Sequence, residues 1–372
     1  MNKYLNIVSL NVPYPPNYGG VIDIYYKIKA LKAVGVKIIL HCFLYNRPEA
    51  KELEELCEEV YYYKRRTGWL PNFSFLPYNV IGRKNLTLFD NLKKNTYPIL
   101  FEGLYSCYFL SSQKLKGRMK IFRECNIEHD YFYALAQAEH SAWKRLYYLV
   151  EGVRFKYFEK VVKHADYILS VSQSDTEYLK QAYPNVPIFF IPCFHVNDHI
   201  QIRRNKTDFI LYHGNLSVAE NIQAALFLIK HVFSRLPYRC IIAGMNPSQL
   251  LTKTAGLYPN ISVETNPSEE RMNELIRNAQ IHTLITFQST GLKLKLLNSL
   301  FNGKHIIANH QMLTGSGLES LCTIAETPDE IIHQCHILMN KNIDSDLEKV
   351  REAKLFPLYS NIRQAERIRD II

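Results

Sequence analysis

The sequence predicts an α/β protein made of two doubly wound parallel sheets. Three observations carry that expectation. Short β-branched apolar runs alternate with amphipathic helical segments along most of the 372-residue chain, as they do when parallel strands are joined by helical crossovers. The rhythm breaks once, across the prolines from Pro184 to Pro192 and the polar, basic run from Asn197 to Lys206, and then restarts. The length also suits two domains of roughly 100–200 residues each.

In the first half, Leu5 to Leu10 reads as a strand and Asn11 to Gly20 as a loop. Val21, Ile24, Tyr25, Ile28 and Leu31 then mark one helix face, Gly35 ends the helix, and Val36 to Phe43 is the next strand. This is a right-handed βαβ unit. It puts Gly19 and Gly20 at the carboxyl edge of the sheet, where doubly wound folds bind ligands. A plain tight turn is the other reading of those glycines. No G-x-G-x-x-G motif is present, so a dinucleotide fingerprint is absent.

Lys51 to Glu59 reads as an acidic helix. From Tyr61 to Pro77, aromatic and basic residues interleave without clear period. This is either an irregular insertion or a surface for a membrane or an acceptor. Pro98 to Leu104 is a further strand. Arg123, Glu124, Asn126, Glu128, His129 and Asp130 then form a polar cluster after an apolar run. His129, flanked by Glu128 and Asp130, is the best general-base candidate, since a carboxylate orients imidazole. A histidine that only satisfies a loop hydrogen bond is the alternative. Trp143 to Lys163 is a long helix with Leu149, Val153, Tyr157 and Val161 on one face, and Ala165 to Ser172 is a strand.

In the second half, Phe209 to His213, Arg239 to Gly244, Ile261 to Glu264 and Ile281 to Thr286 read as strands. Gly214-Asn215 turns into a helix from about Glu220, Ser268 starts another, and Thr327 to Glu330 is a capping box. Between the strands Ile281–Thr286 and Lys304–Asn309 lies the segment that organises this half. It enters at Gly291, carries Leu294, Leu297 and Phe301 at helical spacing, and leaves at Gly303. Lys293 and Lys295 fall in its first helical turn, where the dipole disfavours cations by about 0.3–1 kcal/mol each. Free N–H groups, dipole and ammonium groups would all favour an anion such as a diphosphate. Two solvated lysines on a surface helix is the other reading. Ile362 to Ile372 is an amphipathic terminal helix.

Net charge is +10, with 47 % apolar and 22 % charged residues. The charge suits phosphate ligands or an anionic membrane surface. No nucleic-acid reader motif appears, so nucleic acid is not an expected partner. The eight cysteines form no C-x-x-C pair, as expected of a reduced, cytoplasmic protein. The first apolar run is too short for a signal peptide, and no run approaches the ~18 residues of a membrane span. His333, Cys335 and His336 are close in sequence, but consecutive helical positions point different ways, so a surface helix rather than a metal site is expected.

The segment from Gly291 to Ile307 resembles the donor segment of the GT-B glycosyltransferases of family 4, in the form with two lysines. The Tyr14–Gly20 loop, the strand at Ala165 and the Gly214-Asn215 turn stand in the order that family has, and the Asn126–Tyr131 segment resembles one common among its mannosyltransferase-like bacterial members. The resemblance implies two Rossmann-like domains facing across a cleft. An acceptor domain would span 1–195, a donor domain 196–355, and a C-terminal helix, 356–372, would pack back on the first domain. It implies transfer of a hexose from a GDP- or UDP-sugar to a glycan or lipid-linked acceptor of surface polysaccharide. Such transfer would retain configuration and need neither metal nor cofactor, in the cytoplasm or on the inner face of the cell membrane.

By the same resemblance, His129, Lys293 and Lys295 would be catalytic. Gly19, Gly20, Gly214, Asn215, Thr290, Gly291, Leu292 and Asn298 would bind the donor, and Tyr18, Glu128 and Asp130 would face the acceptor. The family usually places glutamates where this chain has Thr290 and Asn298. The usual lysine after the first donor-domain turn is also not evident beyond Gly214. Two rivals follow: a nucleotide-sugar epimerase of the same build, and a nucleotide-binding scaffold without activity.

Overall fold

Residues 3–139, 141–287 and 294–372 are described by a computed structural model. Near-continuous apolar runs become parallel strands, the central ones buried on both sides and the edge strands part-exposed. In the first sheet these are β1 (Lys3–Val8), β2 (Val36–Leu44), β3 (Glu59–Lys64), β4 (Ile99–Glu102), β5 (Lys120–Arg123), β6 (Tyr167–Ser170) and β7 (Ile188–Phe190), in the order β3-β2-β1-β4-β5-β6-β7. All neighbours pair in parallel, with Leu5 opposite Ile38 and Asn6 opposite Ile99.

The two-residue period of a strand sorts the core into two layers. Leu5, Ile7, Leu40, Leu100 and Ile121 join an aliphatic layer under the helix Gly19–Ala33. Val8, Phe43, Phe101 and Phe122 face the other way, into an aromatic layer with Phe132, Phe155 and Phe158.

The second sheet holds β8 (Phe209–His213), β9 (Arg239–Gly244), β10 (Ile261–Thr265), β11 (Ile281–Leu284), β12 (His305–Ala308) and β13 (Thr323–Ile324). Their order is β10-β9-β8-β11-β12-β13, again all parallel. Ile210, Tyr212 and Ile242 pack under the helix Ala219–His231, while Phe209, Leu211 and Ile241 pack under the helix Glu269–Asn278. The capping box forms as expected: Thr327 Oγ1 accepts from Glu330 N at 3.2 Å, and Glu330 Oε2 accepts from Thr327 N at 3.2 Å.

The described residues fall into two compact units. One takes the chain up to His195 together with Tyr359–Ile372; the other runs from Val196 to Leu358. In the first unit, the terminal helix Asn361–Ile371 buries Ala365 and Ile368 beside Ile24 and Ile28. Asn361 fixes it there. Its side chain accepts from His195 N at 3.1 Å and donates to His195 O at 2.7 Å.

Three local expectations need correction. Only the start of the Tyr61–Pro77 stretch is regular: Tyr61 to Lys64 lie in β3, which pairs with β2, and beyond it the chain is loop with one short 3₁₀ turn, Leu70–Phe73. β-Propensity won there, and tyrosines on both faces hid the alternation. The long helix ends at Phe158 and continues as a 3₁₀ turn, Glu159–His164. Its buried face is Glu151, Gly152, Phe155 and Phe158, while Leu149, Val153 and Tyr157 are exposed. Gly303 is not a left-handed helix terminator. It is needed because a Cβ there would lie 2.4 Å from His282 Nε2 and 2.8 Å from Ser299 O.

Candidate functional site

In each sheet the strand order reverses once, which opens a crevice at the carboxyl ends of two adjacent strands. In the second unit these strands are β8 and β11. The turn after β8 is Gly214-Asn215, and it is closely packed. Gly244, at the end of β9, has no room for a side chain, since a Cβ would lie 1.9 Å from Gly214 O. Asn215 Oδ1 accepts from Ser217 N at 3.1 Å and Ser217 Oγ at 2.7 Å, and Asn221 Nδ2 donates to Asn215 O at 3.0 Å.

Lys295 reaches this turn from the helix Leu294–Asn302. Its ammonium donates to Asn221 Oδ1 at 2.9 Å and to Tyr212 OH at 3.4 Å, and lies 5.1 Å from the centre of the Tyr212 ring. Burial, then Glu220, pushes the Tyr212 phenol up, so it stays a neutral partner for the cation.

Beneath lies a buried chain of polar groups: His213 Nε2 to Ser299 Oγ at 3.0 Å, Ser299 Oγ to His282 Nδ1 at 3.3 Å, and His282 Nε2 to Ile276 O at 3.0 Å. Burial, and then the unfavourable company of His282 and the Lys295 ammonium, holds His213 well below the usual imidazole range. Burial likewise takes His282 down to about 3. Both rings are therefore neutral, and Lys295 is the cation that this crevice presents among its described residues. Asn298 lies one turn further along the helix. Its side chain and carbonyl oxygens accept from Asn302 Nδ2 at 2.8 and 3.0 Å. Thr290, Gly291, Leu292 and Lys293 lie outside the described residues.

In the first unit the reversal falls between β1 and β4. Gly19 and Gly20 begin the helix there, with Tyr18 at its N-cap. A Cβ on Gly20 would meet only ordinary contacts, the nearest at 3.8 Å, so internal packing does not demand glycine. Tyr18 OH accepts from Asn11 Nδ2 at 3.3 Å, and the Arg47 guanidinium lies 5.3 Å from its ring centre.

Below these glycines sits a buried charge network that the sequence reading missed. Lys27 Nζ lies 2.9 Å from Asp23 and 2.7 Å from Glu102, and Arg123 Nη2 lies 3.2 Å from Asp23. Burial raises the Asp23 carboxyl, but Arg123 and Lys27 outweigh it and hold it at about 2. The available signal was the i,i+4 spacing of Asp23 and Lys27.

His129 and Glu128 open the helix Glu128–Ala138 rather than a loop. Both are buried, whereas the Asp130 side chain is exposed. Glu128 turns away from His129 and accepts from Tyr105 OH at 2.7 Å; burial raises its carboxyl to about 7. The carboxylate that meets His129 Nδ1 is Glu159, at 3.0 Å, while Asp130 lies 3.5 Å from Nε2. Tyr178 OH and Tyr183 OH donate to Glu159 at 2.9 and 3.0 Å. The structure thus brings His129, Asp130 and Glu159 together in the first unit, and Gly214, Asn215 and Lys295 to one crevice of the second.

This pair of sheets is the GT-B fold, the architecture of a large class of glycosyltransferases. No protein-family model matches the chain. An uncharacterised 44.6 kDa protein of the cps region of Klebsiella pneumoniae is 27 % identical over 356 residues, 91 % of each chain. Among solved structures, the lipopolysaccharide outer core galactosyltransferase WaaB, in its apo form, aligns over 100 % of both chains at 13 % identity and a TM-score of 0.63. HepE of Anabaena, in complex with UDP and glucose, aligns over 100 % of this chain and 99 % of its own at 12 % identity and a TM-score of 0.63.

Proposed function

We propose that the protein is a glycosyltransferase moving a hexose from a GDP- or UDP-sugar to a glycan or lipid-linked acceptor of surface polysaccharide. The observation that carries this reading is Lys295, set at the strand-order reversal of the second unit above two neutral histidines. A cation anchored at that point suits the diphosphate of a nucleotide sugar. Supporting context comes from HepE, whose structure holds UDP and glucose, and from the relative encoded in a cps region.

In the proposed reaction the acceptor oxygen bonds to the sugar's anomeric carbon as the bond to the diphosphate oxygen breaks. The electron pair leaves on the nucleotide diphosphate, and the acceptor hydroxyl passes its proton to the departing diphosphate oxygen. Lys295, with Lys293, offsets the charge that builds on the leaving group. Asn298 meets ribose hydroxyls. His129, with the Glu159 charge beside it, serves the sugar and acceptor side with Tyr18, Glu128 and Asp130. The reading includes retention of configuration, independence of metal and a family 4 mechanism. It places the reaction in the cytoplasm, at the inner face of the membrane when the acceptor is lipid-linked.

The test is turnover of GDP- and UDP-hexoses with and without polysaccharide precursors, following glycosylated product and released nucleotide. Product that depends on Lys295 supports transfer. The uncharged Asn298 motivates a second reading, a nucleotide-binding scaffold. Nucleotide binding with neither transfer nor donor hydrolysis would establish that reading instead. Conversion of the free nucleotide sugar without acceptor would mark an epimerase.

A further inference from the structure

The helix Ala142–Phe158 has two apolar faces, and only one is used inside the protein. Phe155 and Phe158 face the aromatic layer. On the opposite side Trp143, Leu146, Val150, Val153 and Tyr157 recur at steps of three and four residues, which makes one stripe along a helix. All five are exposed, Trp143 by 83 %.

The loop before Tyr78 adds to the same surface. Trp69, Phe73 and Phe75 are exposed by 69, 77 and 98 %. Arg154 Nη2 donates to Asn72 O at 2.8 Å, and Glu151 Oε2 accepts from Tyr78 N at 2.9 Å, so loop and helix are tied together. Phe75, Val153 and Tyr157 line one groove between them.

The exposed charged side chains of this helix and of the turn that follows it have one sign. Lys144, Arg145, Lys156, Lys160 and Lys163 are exposed, as are Lys64 and Arg66 beside the loop. The acids of the same helical stretch, Glu151 and Glu159, are buried and engaged inside the protein. An exposed apolar stripe of this size needs an occupant. A protein partner would be expected to meet some acidic counterpart, whereas uniform positive charge around aromatic side chains fits the headgroup level of an anionic bilayer.

We infer that Ala142–Phe158 and the 69–75 loop form a docking face for anionic lipid bilayers, with the aromatic side chains inserted and the lysines on the headgroups. This deepens the transfer reading, which sets the reaction at the inner face of the membrane, and it stands on residues that reading does not use, so vesicle binding is tested independently of turnover. Among the described residues no helix is long and apolar enough to cross a membrane, so the contact is interfacial.

The two tryptophans of the chain, Trp69 and Trp143, both lie on this face and report on it directly. The experiment titrates the full chain with phosphatidylcholine vesicles, with and without 30 mol % phosphatidylglycerol (about a third anionic lipid), following tryptophan emission and co-sedimentation. The expected result is a blue shift and co-sedimentation with anionic vesicles only, weakened by salt. Lys156→Glu and Lys160→Glu should each weaken partitioning by about fivefold or more. Leu146→Glu with Val153→Glu should abolish it while the melting temperature holds, because both sites are exposed. Absence of a shift with either vesicle would overturn the inference. So would a shift that follows protein concentration without lipid, which would make the face a contact between copies of this chain.

Discussion

Glu159 Oε2 lies 3.0 Å from His129 Nδ1, and two tyrosine hydroxyls hold that carboxylate from the other side. The pair joins the first turn of one helix to the 3₁₀ turn that ends another. The approach is an ion-pair distance without hydrogen-bond geometry at Nδ1, so the carboxylate acts on the ring through its charge.

The first prediction follows from that pair. His129→Ala should lower turnover more than it raises the KM for the donor. Glu159→Gln should act in the same direction but more weakly, because it works through the ring. Steady-state kinetics on folded variants separate the cases. A change in donor KM alone would make His129 a binding residue.

Glu128 supports a prediction on stability and pH. Burial raises its carboxyl from about 4.5 to about 7, so the folded state holds a proton that the unfolded state has lost. This group therefore lowers stability as pH rises from about 4 to about 7. Glu128→Gln should leave stability unchanged near pH 4 and raise it at pH 8 by on the order of 2 kcal/mol. Urea unfolding at both pH values measures the difference. Equal shifts at both would show that the carboxyl is not desolvated.

Gly303 predicts a steric effect. A methyl group there meets His282 and the Ser299 carbonyl oxygen, which is backbone and cannot turn aside. Gly303→Ala should destabilise the fold by roughly 1–3 kcal/mol. Gly256→Ala, where the nearest contact to a Cβ is 3.5 Å, is the control and should change little.

Much of the fold was legible because parallel strands are buried on both faces and read as unbroken apolar runs, as Phe209–His213 and Ile281–Leu284 do. The helix Ala142–Phe158 was legible as a helix, but it ends before Lys163, and the apolar face of Leu149, Val153 and Tyr157 is not the one the core covers. Both of its faces are apolar, and periodicity cannot say which one a core will cover. The site was only partly legible. Lys295 stood out because a cation in a first helical turn opposes the dipole. Asn221 and Glu159 carried no such signal, since their significance arises only when distant segments meet. Thr290 to Lys293 lie outside the described residues, so their roles rest on the resemblance of the segment.

The most direct test of the account is nucleotide binding by the second unit's crevice. The full chain would be melted with GDP, UDP, ADP and their sugars, without metal and at modest salt. A nucleotide at ~100 times its Kd should add about 2.7 kcal/mol of stability. The account predicts a rise in Tm with one guanine or uridine nucleotide that is lost in Lys295→Ala. It also predicts that this variant loses about 2–4 kcal/mol of transition-state stabilisation in turnover. No rise with any nucleotide in the folded wild-type chain, or an equal rise in Lys295→Ala, would contradict it.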